Sequence, residues 1–90
     1  MKKTVITVVG KDKVGIIAKV CNYLANNQIN ILDISQTIVQ DFFNMMMIVN
    51  SEDSNKNFET ISSELEQIGD EIGVTIKVQH EDIFDMMHRL

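Results

Sequence analysis

The sequence is poor in the features that mark several classes of protein. It contains no proline and only one cysteine, Cys21, which excludes an internal disulfide. Its longest apolar run is far shorter than the about 20 residues of a membrane-spanning helix. The amino terminus, Met1-Lys2-Lys3, leads directly into a predicted strand and lacks the apolar segment of a signal peptide. We therefore expect a cytoplasmic protein that does not span a membrane.

Positive charge is also scarce. Eight lysine and arginine residues stand against 13 aspartates and glutamates, which gives a net charge of −5. An acidic chain repels phosphate backbones, and the few lysines form no dense cluster along the sequence, so nucleic-acid binding is not expected. The 90 residues suffice for one domain. Because a chain this short buries only about 60–65% of its unfolded surface, dimerisation would add useful buried area.

The sequence also lacks an apparent catalytic or metal-binding set. No nucleophile, base and acid stand in a recognisable arrangement. Because side chains alternate between the two faces of a strand, the run Met45–Met47 cannot converge on copper(I), and core packing is favoured. Four possible ligands near the carboxyl end match no common zinc-binding spacing: His80, Glu81, Asp85 and His88. We expect no enzyme activity, no metal and no cofactor.

What the sequence does contain is a regular order of strands and helices. Strands are predicted over 3–9, 29–40, 42–50 and 74–78, and helices over 14–27 and 56–71. The short turn Gln40-Asp41 makes the middle strands an antiparallel hairpin. The order βαββαβ predicts an α+β, ferredoxin-like domain over residues 1–80, with a four-stranded antiparallel sheet and both helices on one face. Residues 81–90 are predicted as a short terminal helix of the same domain.

Periodicity assigns the buried faces of these elements. The buried stripe of the first helix is predicted to be Ile17, Val20, Cys21 and Leu24. That of the second helix is predicted to be Phe58, Ile61, Leu65, Ile68 and Ile72, with Gly69 and Gly73 marking the helix end. The helices are expected to cover one sheet face through Phe43, Met45, Met47 and Val49.

The opposite sheet face is also predicted to be apolar. It is expected to carry Phe42, Met46 and Ile48 together with Ile6 and Val8. Such a surface, with the second strand at a sheet edge, predicts at least a homodimer, through stacked faces or paired edges. The terminal helix is expected to cover apolar sheet surface with Ile83, Phe84, Met87 and Leu90.

The turn between the first strand and the first helix is the most informative segment. Gly10 to Lys13 is predicted as the turn, with Asp12 as the N-cap of the helix and Gly15 at its start. Backbone N–H groups at a helix start are unpaired, and the helix dipole favours anions there. The segment therefore predicts a pocket for a small ligand.

The segments Val8–Lys13 and Asp33–Thr37, with Gly15 and the pair Asn30-Ile31, resemble those of ACT domains, small regulatory modules that bind amino acids. The resemblance extends from about Thr4 to Gln79 and is closer to bacterial ACT domains that stand alone as whole proteins. It implies a regulatory domain that binds a small effector, expected to be an amino acid. Such a domain would act by associating with itself or with a protein partner.

The resemblance also implies a ligand-binding set, which comprises Gly10, Asp12, Gly15, Ile16, Asn30 and Ile31. The N–H groups near Gly15 suit the carboxylate of an amino acid, Asp12 suits its ammonium, and Asn30 offers both a donor and an acceptor. The pocket is expected between the Gly10–Gly15 turn and the start of the second strand. In a side-by-side dimer this region would abut the edge strand of the partner.

Two positions depart from the family pattern. Gly10 stands where some members have a polar side chain, and Gln28 stands where many have glycine, so Gln28 must bear any backbone strain there. Purely structural roles, with Asp12 as a helix cap and Asn30 as a backbone partner, would explain the same residues. The alternative function is an interaction module that dimerises without a ligand.

Overall fold

A computed structural model describes residues 2–11 and 14–81 of the chain. The elements are β1 (Lys3–Lys11), α1 (Ile16–Asn26), β2 (Asn30–Val39), β3 (Phe42–Asn50), α2 (Phe58–Ile72) and β4 (Val74–His80). The predicted order βαββαβ is therefore confirmed. The predicted terminal helix, apart from Glu81, lies outside the described residues.

The four strands form one antiparallel sheet in the order β2-β3-β1-β4. β1 lies between β3 and β4, so β2 and β4 are the edge strands, as expected for β2. The β2–β3 hairpin turns at Gln40 and Asp41, and Gln40 has a φ of 57°. A β-bulge between Ile31 and Asp33 interrupts the β2–β3 register.

The core lies between one face of this sheet and the two helices. Alternate residues of β3 and β4 point into it, and the predicted stripe of α2 is confirmed, with Ile61 and Leu65 buried. The sheet contributes Ile6, Val8, Phe43, Met45, Met47, Val49, Val74, Ile76 and Val78. Packing of these side chains against α1 and α2 supplies most of the buried apolar surface.

The prediction that Ile6 and Val8 lie on the outer sheet face is wrong. The register pairs Ile6 with Met47 and Val8 with Met45, which places all four on the helix-covered face. Ile6 and Val8 are each 0% exposed. A one-residue difference in register exchanges the two faces of a strand, and β1 has apolar residues at both parities.

The first helix is rotated relative to its predicted orientation. Its buried residues are Ile16, Val20 and Leu24, whereas Ile17 is 39% exposed and Cys21 is half-buried. The prediction that Ile17 and Cys21 belong to the buried stripe of this helix is therefore wrong. In this orientation Tyr23 of α1 donates a hydrogen bond to Glu64 of α2.

Gly73 ends α2 with a φ of 79°, as predicted, but Gly69 does not end the helix because it lies inside α2 and is buried. Gly69 and Gly10 instead allow close packing against Val74. A Cβ on Gly69 would lie 2.8 Å from the carbonyl oxygen of Val74, and one on Gly10 would lie 2.8 Å from Val74 Cγ1. Glycine at these positions lets α2 and β1 approach the start of β4.

We expect Gly69→Ala to lower the free energy of unfolding by about 1–3 kcal/mol, because the added methyl group meets backbone atoms of β4. An exposed helix position would show the opposite effect, since alanine is favoured over glycine there by about 1 kcal/mol. Urea unfolding measures the change. Ser63→Ala, on the exposed side of α2, is the control and should stay within about 0.5 kcal/mol of the parent. Stabilisation by Gly69→Ala would contradict this account.

Candidate functional site

Gly10 belongs to a strand rather than to a turn. β1 continues through Lys11, which pairs with Phe42, and Gly10 pairs with Phe43 and Val74. The prediction of a turn that begins at Gly10 is therefore wrong, because β1 pairs with β3 as far as Lys11 and with β4 as far as Gly10. Gly10 is explained by its close contact with Val74.

The first helix begins with an open amino terminus. Its N-cap is Gly15, in the left-handed region with φ 94° and ψ −2°, and no described side chain forms a cap hydrogen bond. The structure assigns the N-cap to Gly15, whereas Asp12, which the sequence predicted for that role, lies outside the described residues. A Cβ on Gly15 would meet no described atom within 4 Å, and the first turn contains no acidic residue. The N–H groups of this turn can therefore donate hydrogen bonds to a bound anion.

The amino terminus of α2, unlike that of α1, is capped by a side chain. Its N-cap, Asn57, accepts a hydrogen bond from the backbone N–H of Thr60 at 2.8 Å, and Glu59 places a carboxylate in the first turn. A side-chain cap and an acidic residue both satisfy the positive end of a helix. Of the two described helices, α1 has the more open amino terminus.

The remaining predicted site residues flank this terminus or lie on β2. Ile16 is 2% exposed and packs in the core, so only its backbone could contact a ligand. Asn30 is exposed at the start of β2, and Ile31 is half-buried opposite Val49. Gln28 has a φ of 59°, which confirms that it bears the backbone strain of the α1–β2 turn.

The two halves of the predicted site lie at opposite ends of the sheet within one chain. Asn30 pairs with Asn50, which pairs in turn with Lys3 at the start of β1. Gly15 follows the other end of β1, and the nine residues of that strand span about 30 Å. Within a single chain, the turn and Asn30 therefore do not line one pocket, because they lie at opposite ends of β1.

Two cavities lie at the Asn30 end of the sheet. One, of about 480 Å³, is lined by Ala25, Gln28, Ile29, Asn30 and Asp53. The other, of about 530 Å³, lies where β1 begins, β3 and β4 end, and α2 begins. Gly10, Gly15 and Ile16 line neither cavity.

Lys56, which lines the larger cavity, belongs to a chain of three hydrogen-bonded side chains. The Tyr23 hydroxyl donates to Glu64 Oε1 at 2.7 Å, and Lys56 Nζ donates to the same oxygen at 2.6 Å. The Lys56 ammonium also lies 5.5 Å from the centroid of the Tyr23 ring, within range of a cation–π contact. Hydrogen bonds from Lys56 and Tyr23 lower the pKa of Glu64, while burial and the Glu64 hydrogen bond raise the pKa of Tyr23.

The lowered pKa of Glu64 predicts an acid-dependent contribution to stability. A carboxylate whose folded pKa lies below its ordinary value of 4.5 adds stability above that value, and this stability is lost as the pH falls through the folded pKa. In Glu64→Gln we expect a smaller drop in melting temperature from neutral pH into this acid range. Glu66→Gln, on the exposed side of α2, is the control. A Glu64→Gln profile parallel to that of the parent would contradict the assignment.

Within residues 2–11 and 14–81, no group of three or more His, Cys, Asp or Glu side chains is arranged to hold a metal ion. No helix in this part of the chain is both long and apolar enough to cross a membrane.

Several known proteins are similar to this chain in sequence and fold. The profile of the ACT domain family matches residues 2–79. A UPF0237 protein of Bifidobacterium longum is 54% identical over 90 residues, covering 100% of both chains. A UPF0237 protein of Methanocaldococcus jannaschii is 48% identical over 90 residues, also with 100% coverage of both. An ACT domain protein from Streptococcus pneumoniae superposes with a TM-score of 0.81 at 42% identity, covering 93% of this chain and 94% of its own.

Proposed function

Since this chain belongs to the ACT domain family, a family of regulatory domains that bind small ligands, we propose that it binds a free amino acid and transmits this binding through protein–protein association. The observation that carries the proposal is the open amino terminus of α1. Its N-cap is a glycine that no described side chain caps, and no described atom lies within 4 Å of the Gly15 Cβ position.

The open terminus suits the carboxylate group of an amino acid. The N–H groups of the first turn supply donors, the helix dipole favours negative charge, and Gly15 permits close approach. Asp12, in the preceding segment, is proposed to bind the ammonium group. Asn30 is proposed to complete the site, since its amide both donates and accepts hydrogen bonds.

Because Asn30 lies at the far end of the sheet, its contribution requires a second copy of the chain. If β2 pairs antiparallel with β2 of the partner about a two-fold axis, the Asn30 end of one strand lies opposite the Val39 end of the other. The Val39 end is the end at which α1 begins. We propose that the turn of one protomer and the β2 start of its partner form each site.

The surface of β2 supports this pairing. Nine of its ten residues are exposed, although four of these are large and apolar: Leu32, Ile34, Ile38 and Val39. By contrast, the outward side of the other edge strand, β4, carries Thr75, Lys77 and Gln79. Edge lysines oppose strand pairing, whereas exposed apolar edges invite it.

We expect Ile38→Lys to convert the protein from dimer to monomer at micromolar concentration. The change removes burial of about 1.5–3 kcal/mol per side chain and places two ammonium groups at a symmetric interface. Light scattering coupled to size-exclusion chromatography measures the mass. Thr75→Lys adds the same charge to an exposed position of β4 and should leave the mass unchanged. A monomeric parent, or equal effects of both variants, would contradict pairing through β2.

Amino-acid binding is tested by thermal shift with a panel of free amino acids. A ligand at 100 times its Kd should add about 2.7 kcal/mol of stability. For the amino acid that stabilises the protein, calorimetry should show weaker binding to Asp12→Ala by about 1.5–3 kcal/mol, through loss of the charged partner of the ammonium group. Asn30→Ala should weaken binding as well. Unchanged affinity in both variants would contradict this site.

Mixing the two variants tests whether the site is shared between protomers. In a heterodimer of Asp12→Ala and Asn30→Ala, one site carries both changes and the other carries neither. After subunit exchange at equal concentrations, about one site in four should recover parent affinity, because half of the dimers are mixed. No recovery would show that both residues act within one protomer.

The second candidate function is an interaction module without a ligand. The exposed apolar side of β2 favours it, because strand pairing needs no small molecule. A stable dimer that no amino acid stabilises would support this function over the first.

A further inference from the structure

The larger cavity gathers much of the positive charge of an acidic protein. The chain has eight lysine and arginine residues and a net charge of −5. Three of the eight, Lys2, Lys3 and Lys56, line this one cavity of about 530 Å³. One carboxylate, that of Glu81, is among its described lining groups. The lining therefore has the opposite charge sign to the whole chain.

The topology brings these lysines together from distant parts of the sequence. The backbone N–H of Ser51 donates to the carbonyl of Lys2 at 3.1 Å, and the backbone N–H of Lys2 donates to Asn50 Oδ1 at 3.3 Å, which ties the start of β1 to the end of β3. Lys56 is held by the 2.6 Å bond to Glu64. That bond uses one of the three donors of the ammonium group and leaves two for a ligand.

An aromatic pair forms another part of the wall. The rings of Phe58 and His80 stack with centroids 3.8 Å apart and an interplanar angle of 21°. Both residues line the cavity, together with the polar residues Ser51 and Asn57. The cavity thus combines ammonium groups, neutral hydrogen-bonding groups and an aromatic surface. Specific small-molecule sites combine apolar surface with a few polar groups in the same way, in volumes of about 300–1,000 Å³.

We propose that this cavity binds a small organic phosphate. The ammonium groups of Lys2 and Lys3, with the two remaining donors of Lys56, match a doubly charged anion better than a single carboxylate, and lysine is a common ligand of phosphate groups. The aromatic pair and the volume leave room for an organic group beyond the phosphate. The cavity shares no lining residue with the proposed amino-acid-binding site, so failure of one proposal would not contradict the other.

The test is an NMR titration of the full chain with inorganic phosphate, with phenyl phosphate, and with sodium chloride at matched ionic strength. Phenyl phosphate should shift the backbone amide signals of Ser51, Phe58 and His80, and should leave those of Gly15 and Ile38 in place. It should bind more tightly than inorganic phosphate, because its ring can contact the aromatic pair. Equal affinities for the two phosphates would contradict the proposal that the cavity contacts an organic group beyond the phosphate.

Matched lysine variants separate a site from general charge attraction. Lys3→Gln should raise the Kd for phenyl phosphate about tenfold, as loss of one charged hydrogen bond implies. Lys77→Gln removes the same charge from an exposed position of β4 outside the cavity, and should leave the Kd unchanged. Equal losses in both variants, or the same amide shifts with sodium chloride, would overturn the proposal. So would an absence of shifts at millimolar phenyl phosphate.

Discussion

The close packing around Val74 is the constraint on which the rest of the structure depends. Gly10 of β1 and Gly69 of α2 both approach this residue, and a Cβ on either would lie 2.8 Å from a Val74 atom. Gly73 alone joins α2 to β4, so the helix folds directly back along the strand. The 15 residues of α2 and the seven of β4 both span about 23 Å. The start of α2 consequently meets the end of β4, where Phe58 stacks on His80.

The two ends of the domain are chemically different. At the end where α1 begins, Gly15 presents backbone N–H groups without a side-chain cap. At the other end, lysines from β1 and from the segment before α2 line a cavity. Both features favour anions, one through backbone dipoles and the other through full charges. The length of the sheet separates them, so ligands at the two ends would interact only through the protein.

The edge position of β2 would allow two copies of the chain to associate. An edge strand has unpaired backbone groups, and in this chain the side chains of Leu32, Ile34 and Ile38 are exposed beside them. Antiparallel pairing about a two-fold axis would bring Asn30 of one copy to the end where α1 of the other copy begins. A ligand held there would contact both protomers. Ligand binding and dimerisation would then be linked, and each would strengthen the other to the same extent.

The sequence by itself determined the local features: the βαββαβ order, the turn at Gln40 and Asp41, the buried stripe of α2 and the strained backbone of Gln28. The first three follow from periodicity and turn chemistry over a few residues, and the strain at Gln28 is implied by the family resemblance. Only the tertiary structure decided which face Ile6 and Val8 occupy, and that Lys2 and Lys56 line one cavity although no cluster is visible along the chain. It likewise placed the two halves of the predicted ligand site at opposite ends of the sheet. Strand register and long-range packing set these relations, because they depend on contacts between residues far apart in sequence.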